Sequence, residues 1–86
     1  MRLIIAGSRD LNFDIGTIQD LIDALIPAEI SIDEIVSGTC RGIDKSGENY
    51  AEFQGIPVER FKPDWNQFGK SAGPIRNREM AEYADI

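Results

Sequence analysis

The apolar residues of this chain change their spacing along its length, and each spacing predicts an element. Leu3-Ile4-Ile5-Ala6 is a continuous apolar run ended by Gly7-Ser8. A run without alternation predicts a strand covered on both faces, as in a parallel sheet. Ile18, Leu21, Ile22 and Leu25 then recur at helical spacing, with Asp20 and Asp23 between them. That is an amphipathic helix, stopped at Pro27. Glu34-Ile35-Val36-Ser37 predicts a second strand ending at Gly38, and a second helix follows over 44–54, with Asp44 as its N-cap and Gly55 closing it. Pro57 to Phe61 alternates apolar and charged residues, the pattern of an edge strand. After an irregular segment, Gly73-Pro74 opens a third helix running to Ala84, since proline is preorganised for the first helical position.

Strand and helix alternate three times, which predicts an α/β fold: a Rossmann-like, three-layer parallel sheet with right-handed crossovers, β-α-β-α-β-α. Ala84-Asp85-Ile86 reads as the entry to a fourth strand. In a 3-2-1-4 strand order, that strand would flank the first. Without it the first strand is a bare apolar edge. The expectation is a single domain over residues 1–86 lacking its C-terminal strand and glycine-rich loop, or one whose edge a partner covers, as in a homodimer.

Composition narrows the chemistry. The chain has 86 residues, one cysteine and no histidine. No triad or dyad that uses histidine can be built from it, no metal site is expected, and no intrachain disulfide is possible, which fits a reducing cytoplasm. No run is long enough to enter a membrane. Net charge is -6, yet five of the nine bases fall between Arg60 and Arg78. An acidic chain with one basic segment suits a small anionic ligand better than a long nucleic acid.

Two strand ends carry residues suited to an anion. Gly7-Ser8-Arg9 follows the first strand, and Ser37-Gly38-Thr39-Cys40-Arg41-Gly42 leads from the second into a helix N-terminus. Glycines there let a backbone approach a phosphate, and free amides with the helix dipole stabilise its charge. The same glycines are also what tight turns require. In Gly73-Pro74-Ile75-Arg76-Asn77-Arg78, two arginines sit in the first turns of a helix and oppose its dipole, so an anion would balance them. Asp10, Asp64 or Glu79 could instead pair with them. Asn77 shares a helical face with Met80, Ala81 and Ala84 and is expected to point inward. Gly69-Lys70-Ser71 is similar to the end of a P-loop, but Asp64 stands where the first glycine belongs, which excludes that chemistry. Trp65 and Phe68 are expected to pin their loop to the core, with base stacking as the other reading. Cys40, with no base nearby, reads as a small packing residue.

These residues in this order resemble the SLOG superfamily, and within it the YspA-type, cpYpsA-related family. The marks are Gly7-Ser8-Arg9, Val36-Ser37-Gly38-Thr39-Cys40-Arg41-Gly42-Ile43-Asp44, Gly55-Ile56-Pro57-Val58, Pro63-Asp64-Trp65, and Ala72-Gly73-Pro74-Ile75-Arg76-Asn77-Arg78-Glu79-Met80. More distantly the chain is similar to the LOG and DprA/Smf proteins. The resemblance implies a Rossmann-like domain of bacterial or phage origin that binds a nucleotide or nucleotide-derived molecule as a sensor or accessory module. It implies a site lined by Gly7, Ser8, Arg9, Ser37, Gly38, Thr39, Arg41, Gly42, Arg76 and Asn77. The alternatives it carries are a LOG-like N-glycosidic hydrolase of nucleoside monophosphates and, further off, single-stranded DNA binding. The catalytic glutamate of LOG enzymes lies in a glycine-rich loop after the fourth strand, which this sequence does not contain.

Overall fold

A computed structural model describes residues 1–86. Its strands are β1 (Arg2–Ile4), β2 (Glu34–Ser37) and β3 (Val58–Arg60). Its helices are α1 (Ile15–Leu25), α2 (Ile43–Gln54), α3 (Trp65–Phe68) and α4 (Ala72–Tyr83), with a 3-10 turn at Gly69–Ser71 joining the last two. All three strands are parallel, in the order β1-β2-β3, with Leu3 beside Ile35 and Ile35 beside Val58. The α/β, Rossmann-like arrangement expected from the apolar spacing is therefore present.

Side chains alternate across a strand, and the two faces of this sheet are covered differently. Leu3 and Ile35 meet Ala51 of α2, with Ile22 of α1 packed alongside. On the opposite face, Ile4 and Ala6 border a hollow with Met80 of α4. Only 16 of the 86 residues are buried, so each contact in this thin core carries a large share of the stability. Tyr83 anchors the end of α4 at the amino end of the sheet. Its hydroxyl donates to Glu34, its ring lies 4.3 Å from the Arg2 guanidinium carbon, and Phe61 packs 5.4 Å away.

Several local expectations change. The N-cap of α2 is Gly42, which makes no side-chain capping bond, and Asp44 lies inside the first turn. Its carboxylate is drawn away from the helix by the amide of Gly7. The segment expected to be irregular forms α3, capped by Asp64, whose carboxylate accepts from the Gln67 amide. Trp65 and Phe68 remain 52% and 39% exposed, so they do not pin the segment to the core. Asn77 is exposed, because Arg76 takes the inward position on α4. Asp85 and Ile86 lie along the outer edge of β1: the Ile4 amide donates to the Ile86 carbonyl and the Ile86 amide to the Arg2 carbonyl. No helix is long and apolar enough to cross a membrane.

Two outcomes follow from packing and capping. A Cβ on Gly47 of α2 would lie 2.7 Å from the Ile5 Cβ. Alanine gains about 1 kcal/mol in helix propensity, but overpacking a core costs about 1–3 kcal/mol. A Cβ cannot rotate away from its neighbour, so Gly47→Ala is expected to lower stability in urea unfolding despite its better propensity. Asp14 caps α1 by accepting from the Thr17 amide at 2.7 Å, which holds its carboxyl below the ordinary 3.8. A depressed folded value means the contribution is complete above 3.8 and fades as pH falls through the lower value. The advantage of the wild type over Asp14→Ala in thermal unfolding should therefore shrink on acidification.

Candidate functional site

The carboxyl ends of β1 and β2 and the first turns of α2 and α4 converge on one cleft. The loop after β1 is locked to the start of α2. Gly42 has φ 81°, and a Cβ there would run into the Ser8 carbonyl oxygen. The Ile43 amide donates to that carbonyl at 3.1 Å, and the Gly7 amide donates to Asp44 Oδ1 at 3.2 Å. Ser46 strengthens the join: its hydroxyl donates to the Gly42 carbonyl and accepts from the Phe13 amide.

The loop after β2 is held from both sides. Ser37 is fully buried, and its hydroxyl donates to Glu48 Oε2 at 2.6 Å and accepts from the Thr39 amide at 3.1 Å. Thr39 sits at φ 65°, a left-handed conformation that costs a non-glycine residue energy unless its surroundings impose it. Glu48, 7% exposed, also accepts from Arg60 Nε at 3.1 Å. From the α4 side, Arg76 Nη1 donates to the Gly38 carbonyl and lies 3.7 Å from the Cys40 sulfur. Glu48 was missed in the sequence because its role depends on α2 facing the end of β2. Its helical spacing from Asp44, four residues earlier on the same face, was the available signal.

Arg76 is 8% exposed and forms no ion pair; Nε donates to Asn77 Oδ1 at 2.8 Å. None of Asp10, Asp64 and Glu79 reaches it, and Asp10 instead pairs weakly with Arg41 at 3.6 Å, both exposed. Arg9 is exposed at the rim. The amides of Ser8, Arg9, Cys40 and Arg41 make no hydrogen bond within the protein, whereas those of Gly7, Thr39 and Ile43 are used internally. The free donors therefore cluster at the tips of the two loops. The ten residues named from the sequence divide accordingly. Ser37 and Gly42 are buried in the framework. Ser8, Arg9 and Arg41 are exposed on the two loops, Gly7 and Asn77 border a hollow beside β1, and Arg76 is buried against the carbonyl of the equally buried Gly38, with Thr39 half-buried next to it.

Two hollows border β1. The larger, about 540 Å³, runs between α1 and β1 and is lined by apolar side chains alone, including Leu21, Leu25 and Ile86. The smaller, about 320 Å³, is bounded by Ile4, Ala6, Gly7, Asn77 and Met80. It combines an apolar wall with a polar edge at the strand ends, where open α/β sheets bind ligands.

A family model, the YspA, cpYpsA-related SLOG family (YAcAr), matches residues 1–68. The chain belongs to this family. No curated protein and no solved structure matched it. The matched residues hold both loops and Glu48, while Arg76 and Asn77 lie beyond the matched span.

If Glu48 fixes the loop after β2, removing its carboxylate leaves a buried hydroxyl and a strained Thr39 without support. Glu48→Ala is expected to cost about 2 kcal/mol, the scale of a hydrogen bond to a charged group. Glu48→Gln, which still accepts from Ser37, should cost clearly less in the same urea titration.

Proposed function

We propose that the chain binds a nucleotide or nucleotide-derived molecule in the cleft at the carboxyl end of its sheet, as a sensing or accessory module. The observation that carries this reading is Arg76, a buried guanidinium without an ion pair, held against the Gly38 carbonyl at the carboxyl end of β2. A buried cation is expensive unless it is balanced, and a ligand carrying acceptor oxygens would complete its hydrogen bonds. The free amides of Ser8, Arg9, Cys40 and Arg41 offer a phosphate further donors, with Arg9 and Arg41 adding charge at the rim. The hollow beside Asn77 and Met80 has the mixed lining a base would need. Membership of a SLOG family supports the nucleotide class.

Calorimetric titration with nucleoside mono- and diphosphates, ADP-ribose and dinucleotides tests the reading. Arg76→Ala should weaken the compound that binds by about 10- to 100-fold, the range for one charged hydrogen bond. Unchanged affinity in that variant, with the protein folded, would remove Arg76 from the site. Absence of binding by every compound would remove the nucleotide reading.

A further inference from the structure

We propose that Glu48 is a positioning residue of the ligand site: through Ser37 and Thr39 it holds the loop after β2 in the shape that offers the Cys40 and Arg41 amides to a phosphate. The proposal rests on the nucleotide reading above and names a residue, remote from the ligand, on which those donors depend.

Ser37 is the link. It is fully buried and leaves no surface for a ligand to touch, although its sequence position predicts a contact. Its hydroxyl has one hydrogen to give. Glu48 Oε2 takes that hydrogen at 2.6 Å, and a carboxylate can only accept, so the hydroxyl is directed one way. The lone pairs of the same oxygen are left to the Thr39 amide, which donates at 3.1 Å. Glu48 is fixed on its other side as well. Arg60 Nε, from β3, donates to Oε1 at 3.1 Å, and Lys45 Nζ stands 3.9 Å from that atom. With both oxygens engaged, the carboxylate does not swing away from Ser37.

Thr39 is the one non-glycine residue of the chain at positive φ, 65°. Such a conformation persists only where neighbouring bonds impose it. The bond from its amide to Ser37 is the one that does so here, and Glu48 orients that bond. The next two amides, of Cys40 and Arg41, make no hydrogen bond in the protein. If Thr39 relaxed to a negative φ, the peptide planes after it would rotate and both amides would turn with them. A residue that only added stability would leave affinity unchanged in the folded protein. Glu48 should instead control affinity, and its loss should be repaired by a residue that adopts the same φ without strain. Glycine is that residue.

The test is calorimetric titration of the wild type, Glu48→Ala, Thr39→Gly and the double variant, with inorganic phosphate, nucleoside mono- and diphosphates and ADP-ribose as probes. For a probe that binds, Glu48→Ala should weaken affinity about tenfold, the effect of about one lost hydrogen bond to a charged group. In the Thr39→Gly background the same substitution should cost clearly less. Glu48→Gln, which still accepts from Ser37, should bind nearly as the wild type does. Should Glu48→Ala not fold, Ser37→Ala removes the same link, and the same loss and the same rescue by Thr39→Gly are expected of it. Wild-type affinity in the folded variant, or an equal loss with threonine and with glycine at position 39, overturns the proposal and leaves the nucleotide reading standing. If the wild type binds none of the probes, both fall.

Discussion

The contact between Gly42 and the Ser8 carbonyl sets the position of nearly everything around the cleft. Only a residue without a side chain can stand there, and its left-handed φ turns the Ile43 amide onto the same carbonyl. Once that bond forms, the loop after β1 lies across the first turn of α2, and Gly7 comes within reach of Asp44. Asp44 is buried as a consequence, not as a cap of its own helix. Ser46, one turn on from Gly42, then ties the same join to Phe13 at the entrance to α1. A single close backbone approach therefore connects β1, α1 and α2.

Around this join the protein buries three charges, Asp44, Glu48 and Arg76, in a domain with a thin core. Each has hydrogen bonds inside the protein, and each serves a different backbone segment. Asp44 holds Gly7, Glu48 holds Ser37 and through it Thr39, and Arg76 holds the Gly38 carbonyl. Burying charge in so small a structure is costly, and an apolar core would be the cheaper solution for stability alone. What the charges provide is loops of fixed shape with polar atoms left facing the cleft. That is the preorganisation a small polar ligand requires.

The charges of the chain are unevenly spread along its sequence. Seven acids and no base lie between Asp10 and Glu34, and five of the nine bases fall from Arg60 to Arg78. Glu48 absorbs Arg60 into the framework, and Arg41 is partly offset by Asp10. Arg76 is the cation left facing the cleft from within, and Arg9 and Arg41 stand at its rim.

The sequence by itself determined the order of elements and the residues of the cleft's loops. Apolar runs at Leu3–Ala6 and Glu34–Ser37, helical spacing in α1, and Gly55 in its left-handed closing position are local signals, and local backbone physics reads them directly. It placed Gly7, Gly38, Gly42 and Arg76 at strand ends and helix starts for the same reason. Tertiary structure alone decided what each polar side chain does. Asp44 has the sequence signature of an N-cap, yet a backbone amide from a loop thirty-seven residues away claims its carboxylate. Arg76 and Asn77 are neighbours on one helix, and only the packing of α4 on the sheet turned the arginine inward and left the asparagine outside. Glu48 reads as a solvated helix residue until β2 brings Ser37 against it. Propensity and spacing are properties of the chain within a few residues, whereas the partner of a buried charge is chosen by whichever segment the fold brings near.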